Sequence, residues 1–111
     1  MADEAQALYD TLADGFLDKP GVIIEPVFHN ECLKVNGKVF AMLVRWQLVV
    51  KLPAKQVLAM IAAGEAVAFE PRAGRPMKEW AMVGAPSPSD GDACWRQLMI
   101  EAHTYVSELT R

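Results

Sequence analysis

Between two apolar runs the chain reads Val35-Asn36-Gly37-Lys38, and no other stretch limits its folding as sharply. Asparagine and glycine tolerate the positive φ angles of a two-residue type I′ turn, whose twist matches that of antiparallel strands. Residues 31–35 and 38–44 are therefore predicted to pair as a hairpin. A second reversal near Arg45-Trp46-Gln47 leads into a strand at 48–52, with Leu48, Val50 and Leu52 on one face and Val49 and Lys51 on the other. The result is a three-stranded meander. Pro26 cannot donate to a ladder, so the apolar piece before the meander reads as an edge or an irregular extension.

Helices flank this β-rich centre. Ala5, Leu8, Leu12 and Phe16 recur at helical spacing, Asp3 and Glu4 suit the positive end of the helix dipole, and Lys19-Pro20-Gly21 is the predicted stop. A second helix starts at Pro53, presents Val57, Leu58 and Ile61, and ends near Gly64. "AVAFEP" and "WAMVGAP" read as two further strands. After the turn-rich "PSPSDGD", Ser89 is the expected N-cap of a last helix, with Asp92 at its third position. That helix carries Trp95, Leu98, Met99, Ala102, Tyr105 or Val106, and Leu109 on one face. Strands alternate with helices too rarely for a parallel, doubly wound sheet. The expected fold is α+β and two-layered, in the order α-β-β-β-α-β-β-α, with the helices on one face of a mainly antiparallel sheet.

The 111 residues fit one domain, 1–111, and the 52% apolar content supplies a core with surface to spare for self-association. Eleven Lys and Arg against 14 Asp and Glu leave a net charge of −3, which weighs against a phosphate backbone as the main ligand. The acidic, interrupted N-terminus is neither a signal peptide nor a membrane span, so a cytoplasmic location is expected, with Cys32 and Cys94 as thiols.

No reaction is legible. In "HNEC", His29 and Glu31 point one way along a strand and Cys32 the other, so no metal site is expected. Cys94 and His103 fall on opposite sides of one helix, beyond reach of each other; Cys94 reads as an apolar filler or semi-exposed thiol, His103 as a polar-face residue. The glycines are scattered singly, without a phosphate-cradling pattern, so no cofactor is implied, and Asp10 and Asp14 read as solvated surface. What remains is "EPRAGRPMKEW". Arg72, Arg75 and Lys78 are gathered around Gly74 and Pro76, with Trp80 behind them. Guanidinium groups on a shaped bend suit a carboxylate or phosphate. The plainer reading is a strand connector, with Met77 and Trp80 packed down and the cations in water.

Three segments, "NGKVFAMLVRWQLVVKLP", "FEPRAGRPMKEWAMV" and "ACWRQLMIEA", resemble in order and spacing the N-terminal domain family of the TfoX/Sxy competence regulators, which also occurs as single-domain bacterial proteins. Matching features span roughly residues 20 to 110. In "PVFHNECLKV" the chain departs from the family, with His29-Asn30 where many relatives have paired glycines, and the resemblance covers the N-terminal domain alone, so the full activity of the two-domain regulators is not expected of it. The resemblance implies a two-layer α+β fold similar to secretion-chaperone domains. It implies no catalysis or cofactor, and a regulatory role exercised through a protein partner or a second copy. The alternative expectation is anion or nucleic-acid binding through Arg72, Arg75 and Lys78.

Overall fold

The computed structural model describes residues 2–27, 30–72, 75–86 and 92–110; for residues 2, 3, 27, 30, 70–72 and 75–77 it describes the backbone alone. Helix α1 spans Ala2–Asp14 and strands β1 to β4 span Val22–Val27, Asn30–Val35, Lys38–Val44 and Gln47–Lys51. Helix α2 (Ala54–Ala62), strands β5 (Val67–Arg72) and β6 (Arg75–Val83), and helix α3 (Ala93–Leu109) complete the chain. The strands form one antiparallel sheet in the order β1-β2-β3-β4-β6-β5. This is the expected α+β architecture with one strand more. The apolar piece containing Pro26 pairs along its whole length with β2 and lies at the sheet's edge. The opposite edge, β5, contains Pro71. Edge strands are where a sheet tolerates proline, and proline there makes each edge a poorer template for a neighbouring chain.

All three helices pack on one face of the sheet, over a core that includes Tyr9, Phe16, Leu33, Phe40, Leu48, Val50, Trp95, Met99 and Val106. Tyr9 ties α1 down: its buried hydroxyl donates to the carbonyl of Glu31 at 2.9 Å and lies 3.5 Å from that of Ala41. Burial holds the phenol neutral, raising its pKa well above the usual tyrosine value, with the nearby Cys32 and Glu31 adding to the effect. The helix itself ends at Asp14, before the predicted stop, because the chain tightens at once into successive turns: Gly15, Phe16 and Leu17 N–H donate to Leu12, Ala13 and Asp14 carbonyls. Trp95 anchors α3, donating from Nε1 to the Gly84 carbonyl at 3.0 Å.

The Asn36-Gly37 turn forms as expected, with φ of 52° and 84°. In β3, Ala41 faces Leu33 while Val39 faces Lys34, so Phe40 is an extra residue, a β-bulge. The bulge sends both Phe40 and Ala41 toward the helices. It turns Val39 and Met42 to the other side, where Val49, Phe69, Trp80 and Met82 form a second apolar cluster.

Helix α2 buries Val57 and Met60, whereas Leu58, 69% exposed, and Ile61 look outward. That corrects the predicted face: the helix is apolar on two flanks and packing on β6 selects the one through Met60. Its end is a Schellman motif in which Glu65 N–H donates to Met60 and Gly64, at φ 77°, donates to Ile61. Asp92 is the N-cap of α3 rather than its third residue, and it pairs with Arg96; Ser89 lies outside the described residues. Among the described residues no helix is long and apolar enough to cross a membrane.

Candidate functional site

The cationic stretch is not a loop. Strand β5 runs to Arg72 and β6 starts at Arg75, so Arg72, Arg75, Pro76 and Lys78 belong to a hairpin, with Arg72 and Arg75 at facing ladder positions. Gly74 lies outside the described residues, as do the side chains of Arg72, Arg75, Pro76 and Met77. Lys78 is exposed and Trp80 is buried. The ladder steps from Ala68↔Ala81 directly to Phe69↔Met77, so Lys78, Glu79 and Trp80 face no β5 partner. Glu79 and Trp80 face β4 instead: Trp80 opposes Lys51, and the Leu52 N–H donates to the Glu79 carbonyl at 2.9 Å.

This step assembles a linked set of groups that the sequence does not announce. Lys51 Nζ stands 3.2 Å from a Glu79 carboxylate oxygen and 5.3 Å from the centre of the Trp80 ring. Tyr105, from α3, donates its hydroxyl to the other Glu79 oxygen at 2.7 Å. The bonds from Tyr105 and then Lys51 hold the Glu79 carboxyl below its usual range, and the same bond raises the Tyr105 phenol. Glu79 is thus an anion whose charge is already matched. Beside it a cavity of about 350 Å³ opens between the start of β3, the end of β4, the middle of β6 and the last turn of α3, lined by Lys38, Val39, Lys51, Trp80, Val106, Leu109 and Thr110. The one sequence signal for it is a lysine, Lys51, following the apolar run Leu48-Val49-Val50.

The other polar residues with chemical potential are not brought together. His29 lies outside the described residues, Glu31 is exposed and Cys32 is buried with its sulfur 3.9 Å from that of Met42. Among the described residues no group of three His, Cys, Asp or Glu side chains is placed to hold a metal ion. Cys94 is an exposed free thiol. His103 is not a solvated polar-face residue. Its ring packs against Phe16 and Phe40 at centroid distances of 5.9 and 5.3 Å, and its buried Nε2 has no hydrogen-bond partner among the described residues. Desolvation, with Lys19 nearby, lowers its pKa.

The helix-free face of the sheet is the other extended feature. Val39, Met42 and Val44 are half-buried against the cluster of Val49, Phe69, Trp80 and Met82, and Val67 beside Met82 is 55% exposed. At the margin, Arg45 and Trp46 form the β3–β4 turn with φ of 49° and 67°, and Trp46 is 53% exposed. No protein-family model, curated protein or solved structure matches the chain.

Proposed function

We propose that this protein is a non-catalytic interaction module that docks a second copy of itself through the helix-free face of its sheet. The observation that carries the reading is the apolar layer on that face: Val39, Met42, Val44 and the exposed Val67 around a buried aromatic centre. An apolar face is self-complementary, as a two-fold contact requires. Pro26 and Pro71 work against the competing route, edge-to-edge pairing. The Arg45-Trp46 turn supports the same face. Two residues with side chains held at positive φ are strained, such strain gathers at used surfaces, and Trp and Arg are the residues that most often dominate contacts. A regulatory role in the cytoplasm, of the kind the TfoX/Sxy resemblance implies, would be exercised through this contact. Sedimentation equilibrium provides the test. A reversible dimer is expected, weakened at least about tenfold by Val44→Glu or Val67→Glu, because an unpaired carboxylate would be buried at the contact. A monomer at every accessible concentration, or variants that dimerise as before, would overturn it.

One observation favours a second reading, anion or nucleic-acid binding by the β5–β6 hairpin. Like charges at facing ladder positions, as with Arg72 and Arg75, are unfavourable until an anion relieves them. Arg75→Ala is then expected to weaken DNA binding and flatten its salt dependence. Absence of DNA binding by the unaltered protein at low salt rejects this reading.

A further inference from the structure

The cavity at the end of α3 borrows Val39 and Trp80 from the helix-free layer, but its other walls, Lys38, Lys51, Val106, Leu109 and Thr110, belong to neither contact above. Its walls are tied from two sides. Asn36 Nδ2 donates to Thr110 Oγ1 at 3.0 Å, joining the β2–β3 turn to the helix end, and the Tyr105–Glu79–Lys51 chain joins the middle of that last stretch of helix to β4 and β6. The site is thus built before any ligand arrives, which lowers the ordering cost of binding.

Its chemistry is asymmetric. Most of the lining is apolar: Val39, Val106, the Trp80 ring, and Leu109, which is 57% exposed beside the opening. Its cations are Lys38 and Lys51. Lys51 is committed to Glu79 and to the Trp80 ring, whereas Lys38 has no ion-pair partner among the described residues. With the Glu79 charge answered by Tyr105 and Lys51, the uncompensated charge at the rim is positive. A cation would meet Lys38 unfavourably. A neutral apolar molecule would leave Lys38 unused. At about 350 Å³ the space lies at the small end of ligand sites.

We propose that this cavity binds a small organic carboxylate with a flat apolar body, of the size of two fused rings. The carboxylate lies beside Lys38 and the body lies against Trp80, Val106 and Leu109. Lys51 positions the Trp80 ring and adds to the field that draws the anion in.

Nuclear magnetic resonance titration with 2-naphthoate, and with naphthalene-2-carboxamide as the uncharged control, tests this on the intact chain. The carboxylate is expected to shift the Trp80 indole N–H and the Val106 and Leu109 methyl signals, and the amide to do so much less. Lys38→Gln is expected to weaken 2-naphthoate binding about fivefold, the upper range for a single exposed ion pair, without moving the thermal midpoint. Leu109→Ser is expected to weaken both probes. Val44→Glu, on the helix-free face but outside the cavity lining, is expected to leave binding unchanged, which separates this site from self-association. The proposal is overturned if 2-naphthoate does not bind, if its shifts fall elsewhere, if the amide binds equally well, or if Lys38→Gln has no effect.

Discussion

Two turns join the three central strands, and they reach the same backbone shape from unlike residues. Asn36-Gly37 sits at φ 52° and 84°, Arg45-Trp46 at φ 49° and 67°. In the first, glycine meets no steric penalty at positive φ and asparagine only a small one. Contacts from far along the chain also hold it: Asn36 N–H donates to the Gly21 carbonyl at 3.1 Å, and its side chain reaches Thr110. The second turn has two β-carbons in a region that disfavours them, at a cost of about 1 kcal/mol each or more. The pairs Leu43↔Leu48 and Val44↔Gln47 impose it from below. A favourable local sequence makes the first turn, whereas the sheet compels the second and leaves an exposed Trp46 at its tip.

That contrast is open to experiment. The largest effect is expected from Gly37→Val, which puts a β-branched residue at φ 84° and should lower stability by about 2 kcal/mol in urea unfolding. Apart from the glycine's own chain neighbours, no atom of the described residues lies within 4 Å of the added β-carbon, so the loss would report backbone strain rather than a clash with the packed fold. The converse change, Arg45→Asn with Trp46→Gly, is expected to raise stability by about 1 kcal/mol while weakening self-association. Loss of stability here would show that the second turn is not strained. Asn36→Ala should cost about 1 kcal/mol by removing the bond to Thr110 and the residue best suited to the turn. If Asn36→Ala costs nothing, the tertiary tether of the first turn is idle.

Acid probes the ground behind the first hairpin, where His103 packs against the bulged Phe40 and Phe16 with Lys19 as its charged neighbour. The folded pKa lies below the ordinary 6.5, so the unfolded chain binds the proton first and stability falls as pH drops from about 6.5 through the folded value. Glu79 has the usual carboxylate behaviour: its lowered pKa contributes stability above the ordinary 4.5 that is lost as pH falls through its folded value. Thermal midpoints measured against pH should therefore decline in two stages, and His103→Leu should remove the first. A single decline confined to pH below 4.5 would show that the ring is not desolvated in solution.

Much of this architecture was legible in the chain, and the places where reading stopped share a cause. The β2–β3 hairpin, the alternation of Leu48, Val50 and Leu52, the Gly64 stop and the inward face of α3 from Trp95 to Val106 depend on residues near one another in sequence; Leu109, expected on that face, is exposed at the end of the helix. "VFAMLV" is apolar throughout, so alternation cannot reveal the bulge that turns Phe40 and Ala41 the same way. Helix α2 offers two apolar flanks, and choosing between them needs the position of β6. Arg72, Arg75 and Pro76 read as loop because proline and glycine punctuate loops, yet the pairing of Arg72 with Arg75 across the hairpin carries the strands through this stretch. The Lys38–Lys51 cavity had no motif at all, since it gathers residues from β3, β4, β6 and α3.

By itself the sequence determined where the chain turns, where its helices run and that its sheet is antiparallel. Those outcomes follow from φ preferences, capping and periodicity, which act over a few residues. Tertiary structure alone decided which flank each apolar segment buries, that Arg45 and Trp46 are held at positive φ, and that Lys38, Trp80 and Leu109 line one cavity. Such contacts join positions as distant as Asn36 and Thr110, and their energies exist only once the chain has closed on itself.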